Sequence, residues 1–521
     1  MYASDSHVSD PHVSDHDTLP YLSLPIAYTQ PSHLAAFAHL AGLKAPAMAE
    51  ARVLELGCAS GGNILPLAAR WPRARFVGVD LAPRHIADGH TRIAALGLKN
   101  VTLECRDIAD LTLPAKGFDY VICHGVFSWI ARDVQEAMLR VISHCLVDYG
   151  VAAISYNVLP GWHLRSPVRD ILLSRTAAQW APRDRVAQAR ETLRQIETSV
   201  GSGPYASLLR DEARRLARMP SSYILGEFLA AHNAPISFPD FARQAADHGL
   251  AYLCEADLDA GALADVSVAA RRRLGELAAT DRLQAAEQID LFSGRPFRRS
   301  LLVKQSAIGG ASAPRADRLV GLHMACRLTP DAVRNKAGLL AFLDRRGEGV
   351  ATRTAPIGQA FARLGEAYPA TVPVAALIGG GAHRTRIAGA LLSIVTTGRA
   401  ALWTTPVAVG HASDARPKAW PFARAEAAMG LPYVTSLHHI AVSLPKIAAA
   451  VTTRLDGTND RAALVAWLTD EIASGGVPLP DGEPAATVGT DRAPAAALAE
   501  GHVAETLRHL AASAVLQDAA G

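Results

Sequence analysis

The chain has 521 residues, half of them hydrophobic and 19% charged, so it is globular rather than disordered and long enough for two or three domains. A formal net charge of only +3 gives no support for non-specific nucleic-acid binding, which usually needs a basic stripe. The six cysteines (Cys58, Cys105, Cys123, Cys145, Cys254, Cys326) are scattered without a CxxC pair, which argues against both a disulfide framework and a zinc site.

No basic-then-apolar leader opens the chain, and no run reaches the ~18 apolar residues of a membrane span. The expectation is a cytoplasmic protein with no membrane insertion and no metal. Residues 1–19 carry HVSD twice, at 7–10 and 12–15, and read as a solvated, disordered tail.

From Arg52 onward short apolar runs alternate with helical stretches. RVLEL, RFVGVD, VTLEC, YVICH and VAAISY look like buried strands; 64–70, 84–95 and 133–145 are amphipathic. Strict alternation predicts βαβ units and a parallel sheet with helices on both faces, hence an α/β domain over 20–165. A helical stretch follows over 167–249, interrupted at 201–204 and near 233–235. GLAYLCEA and FRRSLLVK then supply two more strands, which are expected to complete the same sheet with one of them antiparallel at its edge. On that reading 166–305 is an insertion rather than a separate fold.

The Gly/Ala/Ser-rich SAIGGASAPRA marks the start of a mostly helical C-terminal domain, 306–521. Short β-like pieces at 398–405 and 434–442, and the turn-plus-helix RLDGTNDRAALVAWL, fit a module of winged-helix type.

The strongest chemical signal is VLELGCASGG. A buried strand ends near Glu55, and Gly57, Gly61 and Gly62 open a helix, leaving backbone amides bare for a ligand. The dinucleotide pattern G-x-G-x-x-G serves a pyrophosphate. Here the pattern is E-x-G-x-x-x-G-G, with Ala59 where the middle glycine would stand. A cofactor with an ammonium and a carboxylate but no phosphate suits this turn, and S-adenosylmethionine is such a cofactor. Cys58 and Asn63 belong to the same turn.

Asp80, followed by Leu81, ends the second strand, where an acid can accept both ribose hydroxyls. Asp107, followed by Ile108, ends the third and could take the adenine amino group. Either acid alone also reads as a helix cap or a turn acid. His124 and Gly125 end the fourth strand, where a loop would face the methionine half; His124 reads equally as a structural histidine.

Methyl transfer needs proximity, alignment and a neutral nucleophile. Tyr156 and Asn157 end the fifth strand as candidate amine-orienting groups; Trp162 is a candidate wall, and Trp129 and Phe127 read equally as walls or as ordinary core. No H-E-x-x-H, G-x-S-x-G or G-x-x-x-x-G-K-[ST] motif competes. The pair His438–His439 reads as structural.

YLSLPIAYTQPSHLA, VLELGCASGGNILPLA, FDYVICHGVFSWI and ISYNVLPGW together resemble bacterial class I methyltransferases carrying a methyltransferase regulatory domain. They are similar to the rickettsial protein lysine methyltransferases that modify outer membrane protein B. The resemblance continues through NAPISFPDFARQAADHGLAYLCEA, DLFSGRPFRRSLLV, RPKAWPFARAEA and LDGTND, and so covers nearly the whole chain after about residue 19. It implies a Rossmann-like cofactor domain, a helical middle region and a C-terminal domain. It also implies cofactor contacts at Glu55, Gly57, Gly61, Asp80, Asp107 and His124. GEFLA, 226–230, stands where the family has an EHLE-like run, which puts that run's part in substrate handling in question.

The resulting expectation is a protein lysine N-methyltransferase, with a protein substrate and a homodimer as partners to test. A small-molecule N- or O-methyltransferase and a non-catalytic cofactor-binding regulator are the alternatives.

Overall fold

The computed structural model describes residues 22–256, 266–477 and 492–518; the HVSD tail lies outside them. Two compact units result. One comprises Met1–Ser23 and Phe37–Pro314, the other Leu24–Ala36 and Arg315–Gly521.

The first unit is built on eight strands: β1 (Arg52–Leu56), β2 (Arg75–Asp80), β3 (Val101–Cys105), β4 (Phe118–Cys123), β5 (Leu146–Leu159), β6 (Ile236–Ser237), β7 (Leu250–Glu255) and β8 (Phe297–Lys304). Their order is β3-β2-β1-β4-β5-β8-β7, with β6 pairing alongside the end of β5. β1 to β5 are mutually parallel, so their C-terminal ends share one rim. Helices α1 (Ile64–Arg70), α2 (Pro83–Leu96) and α3 (Arg132–Cys145) make the crossovers. α2 starts on a proline in its first turn and stops at Gly97, φ +64°, the ordinary signals for both ends.

One sheet expectation changes. The antiparallel strand is β8, and it runs between β5 and β7 rather than at the edge. The reason lies in its sequence. Ser300–Leu301–Leu302–Val303 is buried on both faces, as an interior strand must be, whereas β7 alternates half-buried and buried residues as an edge strand does.

The helical insertion comprises α4 (Ser166–Arg175), α5 (Pro182–Ser199) and α6 (Pro204–Ala217). An additional break falls at 176–181, where Pro182 opens α5. These helices surround their own apolar centre, which includes Trp162, Leu172, Leu193, Leu216 and Phe228. A π-helical turn, Ile224–Phe228, closes the insertion. The chain then returns through α7 (Phe238–Asp247), whose Phe241 stacks on Tyr156 with ring centroids 3.9 Å apart. α8 (Val268–Thr280) and α9 (Arg282–Ser293) lead into β8.

Under that edge Arg298 is buried between Glu255 Oε1 at 2.6 Å and Asp290 Oδ2 at 2.7 Å. Its guanidinium also donates to the Ala286 carbonyl and lies over the Phe238 ring.

In the second unit the segment 398–405 contributes one strand, Ala401–Trp403. The segment 434–442 divides into a hairpin, Tyr433–Thr435 with Ala441–Ser443, turned at His439 with φ +59°. Helices Pro421–Ala428, Lys446–Thr453, Arg461–Ser474 and Arg492–Ala512 accompany the hairpin, a winged-helix set. Asp460 caps the third of these by accepting from the Ala463 N–H at 2.8 Å. No helix among the described residues is long and apolar enough to cross a membrane.

Candidate functional site

The site forms where β1, β2, β4 and β5 end. On leaving β1 the backbone turns through Gly57 at φ +74° and Gly61 at φ +79°. A Cβ at Gly57 would run into the Val126 side chain, so both close packing and backbone conformation call for glycine there.

Asp80 holds the turn in shape. Its Oδ2 accepts from the Ala59 N–H at 2.7 Å and its Oδ1 from the Ala82 N–H at 2.9 Å. Burial alone would raise its pKa, yet the His85 side chain and the two backbone donors outweigh that and hold it below the ordinary carboxylate value. Asp80 therefore stays ionised, with lone pairs left for hydroxyl donors.

Glu55 is the opposite case. It is 3% exposed; Asn63 donates to Oε1 at 2.7 Å, while Oε2 has no hydrogen bond from the described residues. Burial, reinforced by the nearby Asp80 charge, pushes its pKa up to about 8 against the pull of Asn63. A buried, half-satisfied carboxyl at the head of a glycine turn has the chemistry to take a cationic group.

Gly62 and Asn63 have partners within the fold: the Gly62 N–H donates to Ser23 Oγ at 2.7 Å, and Asn63 serves Glu55. Gly62 thus makes room for the N-terminal segment, since a Cβ there would strike the Ser23 carbonyl. Cys58 is buried, and burial first among several causes raises its thiol well above the usual range; it packs rather than reacts. Leu81 is 44% exposed and Ile108 half-buried, and they give the rim an apolar surface. Asp107 is exposed and accepts the Ala109 N–H at 2.8 Å, a turn bond that leaves its second oxygen available.

At the end of β4, His124 Nδ1 lies 3.1 Å from Ser155 Oγ, which also accepts the Gly125 N–H at 2.8 Å. Burial, with the Arg299 charge adding to it, pushes the His124 pKa down to about 4, so the imidazole is neutral at pH 7.

Asn157 follows Ser155 by two positions, and in a strand the two share a face. The Asn157 N–H donates to Ser128 Oγ at 2.8 Å, and its side chain Nδ2 donates to Asn233 Oδ1 at 3.2 Å. Trp129 is half-buried at the end of the short 3-10 turn Phe127–Trp129.

Two of the expected acceptor-side residues are packed in cores. Tyr156 is on the opposite face of β5 from Asn157 and fully buried; its hydroxyl hydrogen-bonds with Ser300 Oγ at 3.1 Å. Trp162 sits inside the insertion, 5.9 Å from the Phe228 ring. Strand alternation moves the first away from the rim, and the insertion's need for a core takes the second. Phe127 likewise packs between Tyr156 and Phe241.

Residues 53–150 match a methyltransferase domain, 220–304 a predicted methyltransferase regulatory domain and 415–515 the family described as "PKMT, C-terminal winged helix domain". An uncharacterized protein of Rickettsia prowazekii is 37% identical over 289 residues, covering 55% of this chain and 52% of that protein. The match thus spans about half the length of that relative. A second uncharacterized protein of the same organism is 34% identical over 232 residues, covering 44% of this chain and 93% of its own length. The structure of PKMT2 from Rickettsia typhi superposes with a TM-score of 0.83 at 25% identity, over 96% of this chain and all of that one. A structure of that protein in complex with AdoHcy gives 0.82.

The chain belongs to the S-adenosylmethionine-dependent methyltransferases that carry a regulatory domain.

In this methyltransferase, sequence reasoning missed Ser23, Ser128, Ser155 and Asn233. The first and last are far in sequence from the strands they serve. Ser155 and Ser128 were readable only in part, as polar residues inside apolar runs. Among the described residues no group of three or more His, Cys, Asp or Glu could hold a metal ion.

Proposed function

We propose that this methyltransferase moves a methyl group to the side-chain amine of a protein lysine. The observation that carries the cofactor half is Glu55: a buried carboxyl, half-satisfied, at the head of a glycine turn with Asp80 beside it. When bound, S-adenosylmethionine supplies a methyl group on a positively charged sulfur. Glu55 would face its ammonium, Asp80 its ribose hydroxyls, and Leu81, Ile108 and Asp107 its adenine.

The acceptor half rests on charge and on kinship. A lysine entering a partly desolvated rim loses its proton more readily, because burial disfavours the ammonium. His124, neutral at pH 7, adds no cation beside a cationic cofactor. Asn157 offers a carbonyl oxygen to an amine N–H. The PKMT winged-helix match and the likeness to PKMT2 support a protein lysine as acceptor over a small molecule. On this reading 20–165 binds the cofactor, 166–305 forms the acceptor side and 306–521 serves the protein partner.

The test is incubation with methyl-labelled S-adenosylmethionine and poly-L-lysine, followed by amino-acid analysis. Labelled methyl-lysine is the expected product. Cofactor binding with no labelled lysine would leave the small-molecule methyltransferase and the non-catalytic regulator in its place.

A further inference from the structure

The catalytic strands and the regulatory stretch meet at a short chain of side-chain amides. Asn233 lies within the 220–304 match, in the segment between the π-helical turn Ile224–Phe228 and β6. Its Nδ2 donates to the Glu227 carbonyl at 3.2 Å, and its Oδ1 accepts from Asn157 Nδ2 at 3.2 Å.

The direction of this chain is fixed at one end. A backbone carbonyl can only accept, so the Asn233 atom facing Glu227 is the amide nitrogen. The oxygen of Asn233 then faces Asn157, and the Asn157 atom facing it must be a donor. That leaves the Asn157 carboxamide oxygen turned away from Asn233. With Asn157 only 1% exposed, the amide has little freedom to do otherwise.

The segment carrying Asn233 is held from both sides. Arg169 donates to the Ala230 carbonyl at 2.5 Å and Arg185 to the Leu229 carbonyl, both from insertion helices. The Ala234 N–H donates to the Ser128 carbonyl at 2.8 Å, and Ser128 Oγ takes the Asn157 backbone N–H. Asn157 is thus gripped at its backbone by one end of this loop system and at its side chain by the other.

We propose that Asn233 is a positioning residue: it orients Asn157 so that the carboxamide oxygen accepts an N–H from the incoming lysine amine. This inference rests on the lysine reading above. It assigns to the regulatory region a direct part in aligning the acceptor. With the amide flipped, an NH2 would face the amine and donate to the lone pair that must attack the methyl group, and alignment would be lost.

The test compares Asn233→Ala, Asn233→Leu and Asn233→Asp with the parent enzyme. S-adenosylhomocysteine binding and methyl transfer to poly-L-lysine are both measured. Asn233→Asp keeps an acceptor for Asn157 Nδ2, whereas Asn233→Leu keeps the volume and loses the bond. The expected result is a fall in kcat of about tenfold or more for the Ala and Leu variants. The Asp variant keeps the acceptor for Asn157 but sets its second oxygen against the Glu227 carbonyl, so its kcat should fall less than that of the Ala and Leu variants, and all three should bind S-adenosylhomocysteine within about twofold of the parent. Leu behaving like Asp, or all three matching the parent in kcat, would overturn the inference alone. A parent enzyme that binds S-adenosylhomocysteine but methylates no lysine would overturn the lysine reading and this inference with it.

Discussion

Asn63 donates its side-chain N–H to Glu55 Oε1 at 2.7 Å, and the second oxygen of that buried carboxyl has no hydrogen bond from the described residues. The pair stabilises the turn while leaving a carboxyl that burial keeps mostly protonated at pH 7.

That arrangement costs stability in the absence of ligand. With a folded pKa of about 8 against 4.5 for the free group, the folded state holds a proton that the unfolded state releases. Stability therefore falls as pH rises from about 4.5 to about 8, by roughly 3 kcal/mol at pH 7. Glu55→Gln keeps an acceptor for Asn63 and removes the titration. It should raise the Tm of the ligand-free protein at pH 7 and leave it little changed at pH 4.5, as scanning calorimetry at the two pH values would report.

Ligand binding should show the same linkage in reverse. An ionised Glu55 is the better partner for an ammonium, so affinity for S-adenosylhomocysteine should rise with pH up to about 8, by as much as about tenfold per unit. Titrations at pH 7 in two buffers of different ionisation enthalpy should reveal release of close to one proton. The Gln variant should release none and bind more weakly.

Asp80 has two duties, since it binds the turn through the Ala59 N–H and faces the expected ribose. Asp80→Asn retains one acceptor and should lose less than Asp80→Ala, for which about 2–3 kcal/mol of binding is expected, as for hydrogen bonds to a charged group. Equal affinity for all three proteins would remove Asp80 from the site.

Arg298 is a structural counterweight under the sheet edge. Arg298→Met would leave Glu255 and Asp290 buried without their main cation, at an expected cost of about 3–5 kcal/mol. Urea unfolding measures it directly. A loss within the range of an ordinary surface pair would mean the carboxyls find other partners.

Tyr156→Phe should separate packing from chemistry. It removes one hydroxyl bond to Ser300, whose Oγ keeps Glu255 as a second partner at 3.0 Å, so about 1 kcal/mol of stability is at stake. Turnover and cofactor affinity should stay at parent values. A large fall in kcat with unchanged stability would return Tyr156 to the acceptor side.

Much of this was legible in the sequence because it is local. The glycine turn, Asp80 at the end of β2 and the amphipathic helices are written in consecutive residues, and periodicity or turn chemistry decodes them. The core packing of the two aromatic residues was not legible, for a different reason. SYNVLPGW does not say which of Tyr156 and Asn157 faces the rim, because the face depends on register with β4 and β8. Trp162 follows the strand by three residues yet serves the insertion, whose core gathers residues as distant as Phe228. Asn233 and Ser23 reach the site from 76 and 39 positions away from their partners. No local pattern announces such contacts.

The most direct measurement of the central claim is calorimetric titration with S-adenosylhomocysteine, run beside NADH and beside Asp80→Ala. Saturable binding of the first ligand, no binding of NADH and a marked loss in the variant are the expected results. Binding of NADH, or no binding of S-adenosylhomocysteine by the parent protein, would contradict it.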